Sequence, residues 1–172
     1  MENELIKALL ERRSIRKYDT KQISDDELDT ILNAGLYAAS AMNRQETKIV
    51  AVRDKETRDF LSKLNAKVMD KDTDPFYGAP CVLVVFAKND YCYWQDGSLV
   101  MANLMQAAYS IGLGSCWINR AKEMFEFPEG IELKKKWGIP EDYMGIGNCI
   151  VGYPLETVSA KPRKENRIIK ID

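Results

Sequence analysis

The sequence predicts an α+β protein, with a mixed sheet flanked by helices. Three observations predict it. Helical and strand-like periodicities interleave along the chain. Two strand-sized segments, Cys81 to Ala87 and Gly147 to Tyr153, are almost continuously apolar, as strands buried on both faces are. The 172 residues suffice for one domain with a real core and not for two ordinary ones. No repeat, low-complexity tract or linker divides them, so residues 1–172 are read as a single domain with a tail from about residue 155.

The elements follow in order. Residues 3 to 11 place Leu5, Ile6, Leu9 and Leu10 on one helical face. The basic stretch Arg12-Arg13-Ser14-Ile15-Arg16-Lys17 comes next. Ser24 and Glu27 have capping-box spacing, with Asp25 and Asp26 in the first turn. They open a helix that carries Leu28, Ile31, Leu32 and Leu36 inward and ends near the small polar loop Ala39 to Gln45. Residues 47 to 53 read as a strand. Asp54 begins a third helix with Phe60, Leu61 and Leu64 on its inner face. The acidic residues 70 to 75 end in Pro75 and form a loop. Gly78-Ala79-Pro80 leads into the buried strand Cys81 to Ala87. A long helix runs from Gln95 to Ile111, with Gly112 as its stop. Ser115 to Ile118 is a short strand, and residues 122 to 143 hold one or two short helices. Gly147 to Tyr153 is the last core strand, closed by Pro154. The tail, 155 to 172, is polar apart from Ile168, Ile169 and Ile171. Its apolar end is too short to fold alone and must dock, with a partner subunit as a candidate surface.

Composition narrows the function. The formal net charge of −1 gives no global field to attract nucleic acid or an anionic membrane. No apolar segment approaches the length of a membrane span, and residues 1 to 23 lack a signal-peptide core, so a cytoplasmic protein is expected. Cys81, Cys92, Cys116 and Cys149 form no CxxC pair and read as reduced, packed residues. The chain has no histidine. That removes Ser-His and Cys-His nucleophile systems, and an enzyme built this way uses other side chains or imports its chemistry as a cofactor.

Four segments carry candidate chemistry. Arg12, Arg13, Ser14 and Arg16 can neutralise and hydrogen-bond one phosphate group, or form a solvated basic turn. Lys161-Pro162-Arg163 is a second basic cluster, with the same two readings. Ser40-Ala41-Met42-Asn43-Arg44-Gln45 offers small and amide side chains suited to a planar heterocycle, or is an ordinary loop. Gly112-Leu113-Gly114-Ser115-Cys116-Trp117-Ile118-Asn119 turns sharply from helix to strand, and backbone amides beyond it can face a ligand. The patterns GxxxxGK[ST] and GxGxxG after a strand are both absent, which argues against a dinucleotide-binding Rossmann unit.

Taken together, these segments resemble the FMN-dependent nitroreductase family. The likeness covers nearly the whole chain in order. It runs from Arg12-Arg13-Ser14-Ile15-Arg16-Lys17-Tyr18 through Ala39 to Gln45 and Gly78-Ala79-Pro80. It continues through Gly112 to Ile118, Gly152-Tyr153-Pro154 and Lys161-Pro162-Arg163. The resemblance implies a mostly antiparallel sheet and a homodimer with a C-terminal tail exchanged between subunits. It implies that Arg12, Arg13, Ser14 and Arg16 contact the FMN phosphate and ribityl chain, with Lys161 and Arg163 completing the phosphate site. Ser40, Met42, Asn43 and Gln45 would approach the flavin from the other subunit. Backbone groups around Trp117, Ile118, Asn119 and Arg120 would lie beside the isoalloxazine ring. Two departures stand out. Glu46-Thr47 occupies the place where many relatives have Pro-Trp. The chain also leaves little room for a helical lid between Arg53 and Gly78 or after Arg120, so an open substrate channel is expected.

The implied activity is a ping-pong transfer of electrons from NADH or NADPH through FMN to a small electron-poor acceptor such as a nitroaromatic or quinone. The protein supplies no catalytic side chain of its own and no metal site. Nucleic-acid and membrane partners are not expected. Two alternatives stay open: the same flavin fold with reductive dehalogenation or flavin breakdown, and a non-enzymatic module whose basic segments bind nucleic acid or another anion.

Overall fold

The structure, a computed structural model, describes residues 3–171. Its elements are α1 (Glu4–Glu11), α2 (Asp25–Leu36), a 3₁₀ turn (Ala41–Asn43), β1 (Thr47–Val52), α3 (Lys55–Val68), β2 (Cys81–Lys88) and α4 (Tyr93–Ser110). There follow β3 (Gly114–Ile118), α5 (Ala121–Met124), α6 (Pro128–Lys136) and β4 (Tyr143–Gly152). The strands form one sheet in the order β1-β2-β4-β3, and each neighbouring pair is antiparallel. The only parallel pairing among the described residues is the single bridge between Ser14 and Ser115 at the β3 edge. The mixed character expected of the sheet reduces to that bridge.

The apolar run of β2 is explained by two cores, one on each face of the sheet. Val82, Val84 and Phe86 pack with Ile150, Leu61 and Phe125 on one side, under α3, α5 and α6. Cys81, Leu83 and Val85 pack with Val151, Ile31 and Leu104 on the other, under α2 and α4. Alternate residues of a strand face opposite sides, so a strand between two helical layers must be apolar at every position. β2 and β4 are these central strands, and β1 and β3 are the edges. The helices start where their caps lie: Ser24 and Glu27 complete a capping box on α2, and the Asp54 side chain accepts from the Thr57 N–H at 2.8 Å on α3.

Several details differ from the sequence expectation. Leu36 and Phe60, expected to face inward, are exposed in the single chain because they sit at the rim of their helices' buried faces. Strand β4 begins at Tyr143 rather than Gly147, because β2 is long enough to pair Lys88 with Tyr143. The Gly145-Ile146-Gly147 stretch hid that extension, and a register irregularity at Val85/Phe86 accommodates it. Helix α4 begins at Tyr93, two residues before Gln95. Helix α1 buries only Ala8, while Leu5, Ile6, Leu9 and Leu10 are exposed in the single chain. The helix α4 lies so close to β4 that a Cβ on Gly97 would collide with the Ile146 side chain. The three cysteines among apolar residues, Cys81, Cys116 and Cys149, are buried, Cys92 is half-buried, and all four are free thiols. Burial pushes the Cys81 thiol up to about 12 and raises that of Cys149 as well, so neither is a nucleophile.

Candidate functional site

Helix α1 ends at the first of the predicted arginines. The Arg12 N–H donates to the Ala8 carbonyl at 3.0 Å and closes the helix. The chain then runs beside β3, where the Ile15 N–H donates to the Ser115 carbonyl at 3.0 Å. This pairing fixes Arg12, Arg13 and Ser14 against the Gly114-Ser115 end of the sheet. Gly114 allows it: a Cβ there would stand 3.0 Å from Ile15. The Tyr18 hydroxyl locks the same segment by donating to the Ile15 carbonyl at 2.7 Å. Burial raises the Tyr18 pKa far above its ordinary value, so this donor keeps its proton.

The segment lines a cleft of about 400 Å³ with Tyr109, Gly114, Ser115 and Thr157. An adjoining hollow brings Arg13 together with Lys161, Arg163 and Arg167 of the tail, over Leu9 and Leu10. The two basic clusters, about 150 residues apart in sequence, thus meet at Arg13. The Arg13 guanidinium donates through Nη1 to the carbonyls of Leu10 and Arg12, each at 2.7 Å. Arg12 Nη1 and Arg13 Nε are buried and have no hydrogen-bond partner. A buried cationic N–H without an acceptor is costly, and an anion is the ligand that satisfies it. Two carboxylates limit the cleft, Glu11 and Glu156. Glu156 accepts the Arg16 N–H at 2.6 Å, while the exposed Arg16 guanidinium lies over the Tyr77 ring, 5.9 Å from its centroid.

The loop from Ser40 to Gln45 lies elsewhere. It is tied to the start of α4, where Asp96 accepts the Ala41 N–H at 3.0 Å and Asp90 pairs with Arg44 at 3.0 Å. Ser40 Oγ accepts the Gln45 N–H at 3.0 Å, and Asn43 Oδ1 accepts from Gln45 Nε2 at 3.0 Å. Met42, Asn43 and Gln45 all have left-handed backbone, with φ of 55°, 54° and 55°. Non-glycine residues rarely adopt it, and such strain concentrates at functional sites. Met42 is 90% exposed. Ser40 and Gln45 line a small hollow with Leu36, Thr47 and Asp96, and none of the arginines borders it. Glu46 pairs with Lys88 at 2.7 Å and fastens the loop's exit to β2.

Trp117 and Ile118 end strand β3, and Asn119 and Arg120 lead out of it. Arg120 is also left-handed, at φ 74°. Within one chain Arg13 shares a hollow with Lys161 and Arg163, Arg12 lines the adjoining cleft, and Ser14 and Arg16 line neither; Trp117 and Ile118 lie further along the edge strand, with Asn119 and Arg120 just beyond it. The fold does not bring Ser40, Met42, Asn43 or Gln45 to that cleft. Sequence reasoning missed Tyr109 and Thr157 as cleft residues and Asp96 as the anchor of the loop. It also missed Asn65 and Asn148, both fully buried near Ile118 and Asn119. Asn148 was visible as a polar residue inside an apolar strand.

Fold and site together define a helix-flanked antiparallel sheet with an arginine-lined cleft at its edge and a strained, outward-facing loop. The model of the nitroreductase family matches residues 9–153. A relative from Archaeoglobus fulgidus is 33% identical over 158 residues, covering 89% of this chain and 87% of the relative. The NAD(P)H FMN reductase of Bacillus subtilis is 27% identical, covering 94% and 70%. The structure of a nitroreductase with bound FMN from Bacteroides fragilis superposes with a TM-score of 0.89 at 29% identity, covering 99% of this chain and 100% of that one. The chain belongs to the nitroreductase family.

Proposed function

We propose that this chain forms a homodimeric, FMN-dependent oxidoreductase of the cytoplasm. In this reading it passes electrons from NADH or NADPH to nitroaromatic, quinone or similar electron-poor acceptors in a ping-pong sequence. The observation that carries the reading is a pair of buried guanidinium nitrogens without a partner, Arg12 Nη1 and Arg13 Nε, beside a tail that adds Lys161 and Arg163. They fit a single terminal phosphate. Arg12, Arg13, Ser14, Arg16, Lys161 and Arg163 hold the phosphate end, and Trp117, Ile118, Asn119 and Arg120 border the ring. FMN, when bound, supplies the two-electron chemistry that side chains alone do not.

The dimer is part of the same proposal. Ser40, Met42, Asn43 and Gln45 serve the partner's flavin, which accounts for a strained ligand-type loop with no cleft of its own. The exposed Leu5, Leu9 and Leu10 of α1, with Leu36 and Tyr37 at the end of α2, supply apolar surface for an interface. The tail supplies an arm. Ile168, Ile169 and Ile171 are 81%, 84% and 90% exposed in the single chain, and β-branched residues suit addition to a sheet edge. The outer edge of β3 carries the Ser14–Ser115 bridge, and among the described residues no strand pairs with the outer edge of β1.

Anaerobic addition of NADH or NADPH to the purified, FMN-loaded protein tests the reaction. The flavin band should bleach, and a quinone, a nitroaromatic or free flavin should restore it. A bound flavin that neither donor reduces would refute the oxidoreductase reading. No helix among the described residues is long and apolar enough to cross a membrane.

A further inference from the structure

Strand β3 leaves the sheet at Ile118, opposite Asn148 of β4. Beyond that point the chain passes through the left-handed Arg120 into the four-residue helix α5. Two side-chain amides from different elements hold this exit. Asn65, on α3, donates Nδ2 to the Asn119 carbonyl at 2.7 Å and to Met124 Sδ at 3.1 Å. Asn148 donates Nδ2 to the Ile118 carbonyl at 3.4 Å and to the same sulfur at 3.4 Å. Both asparagines are 0% exposed, and each has an Oδ1 with no hydrogen-bond partner.

As packing, the arrangement is poor. A buried amide oxygen left unpaired costs about 1–3 kcal/mol, and an apolar residue of similar shape avoids that cost. Its consequence lies in the backbone. In a trans peptide the C=O and N–H point in opposite directions. Holding the carbonyls of Ile118 and Asn119 toward the core therefore turns the N–H groups of Asn119 and Arg120 away from it. Neither N–H has an acceptor among the described residues. Two consecutive backbone donors thus face outward at the end of the edge strand, set there from behind.

We propose that Asn65 and Asn148 are positioning residues that fix the Asn119 and Arg120 N–H groups as a paired donor toward the flavin ring. The inference rests on the flavin reading above and adds residues that do not touch the ligand. Outward donors favour the ligand form carrying more negative charge, which here is the reduced flavin. Donors held by a rigid core keep their direction without reorganising when charge develops.

The test uses the full-length FMN-loaded protein with Asn65→Leu and Asn148→Leu. Asn103→Leu is the control, since Asn103 donates to the Ala34 carbonyl at 2.9 Å on the other face of the sheet. Three quantities are read: the reduction potential of bound FMN, amide hydrogen exchange over 117–121, and thermal stability. Both test variants should lower the potential, weakening reduced FMN relative to oxidised FMN by about tenfold, the scale of one hydrogen bond. Exchange over 117–121 should rise, and thermal stability is read alongside it, because removing the unpaired oxygen and removing the donor to the Ile118 or Asn119 carbonyl act in opposite directions. Asn103→Leu should move neither potential nor exchange. Wild-type potential and exchange in both test variants would overturn the inference, as would equal changes in Asn103→Leu. If a leucine variant fails to fold, alanine at that position is measured with the same expectation. A wild-type protein that takes up no FMN would overturn the flavin reading and this inference together. A wild type that holds FMN beside variants that match it would overturn this inference alone.

Discussion

The basic cleft beside β3 and the loop from Ser40 to Gln45 differ in how much of each is finished within one chain. The cleft has walls, a floor and converging cations, and ordinary β-pairing positions them: the Ser14–Ser115 bridge and the Ile15 to Ser115 hydrogen bond at 3.0 Å. Its backbone from Arg12 to Arg16 shows no positive φ. The loop has three left-handed residues, an exposed methionine and only a small hollow. Strain held in place by Asp96 and Asp90, with nothing of its own to bind, is what a surface shaped for a second molecule looks like. The cleft is complete as a structure, whereas in the proposed dimer the loop is half of an interface.

The strongest way to break this comparison is to remove the arm. Deleting residues 165–172 should weaken the dimer and lower FMN content with it. The deletion removes the three exposed isoleucines, each contributing about 1.5–3 kcal/mol if buried on a partner, before the cost of ordering the tail. Sedimentation and flavin absorbance on the same samples check both halves. A truncated protein that stays dimeric and fully flavinated would leave the loop's role intact and end the tail's.

A smaller effect sharpens the cleft side. Arg163→Ala should weaken FMN binding by about tenfold to a hundredfold, the loss of one charge-assisted bond of roughly 1.5–3 kcal/mol. The dimer should be unchanged, which separates this variant from the truncation. Titration of the flavin-free protein with FMN, alongside sedimentation, reads both quantities.

On the loop side, Met42→Gly relieves a left-handed residue. Stability should rise by about 1 kcal/mol or less, since glycine's freedom in the unfolded chain offsets part of the gain. FMN release should become faster, because the partner's wall is less fixed. A gain in melting temperature with unchanged release would show that the loop's shape serves folding alone.

A pH-dependent effect lies in the scaffold, away from both regions. Asp74 accepts from Arg58 at 2.7 Å, Ser62 at 2.6 Å, Phe76 at 2.9 Å and Gly78 at 2.7 Å. Burial works to raise its pKa, and these hydrogen bonds outweigh burial and leave it below the ordinary carboxylate value. The carboxylate therefore stabilises the fold above its unfolded pKa, and that contribution is lost as pH falls through the folded value. Asp74→Asn should be less stable than wild type near neutral pH, and the two urea midpoints should converge in the acid range. A constant difference across pH would refute the linkage.

The sequence by itself determined much of this protein. The apolar runs in β2 and β4 required two helical layers, because every position of a doubly covered strand is buried. Ser24 and Glu27 set the start of α2, and Gly112 the end of α4, through contacts made within a few residues. The order of the basic, amide and glycine segments along the chain carried the family likeness. Tertiary structure alone decided the rest. It brought Arg13 to Lys161 and Arg163, it extended β4 back to Tyr143 to match β2, and it gave Met42, Asn43 and Gln45 their left-handed backbone. It also set Asn65 and Asn148 beneath the exit of β3. The division has one physical cause. Periodicity and caps express interactions between residues a few positions apart, so the sequence displays them directly. A cleft, a register and a buried amide's partner depend on residues far apart in sequence, and those meet only when the sheet is assembled.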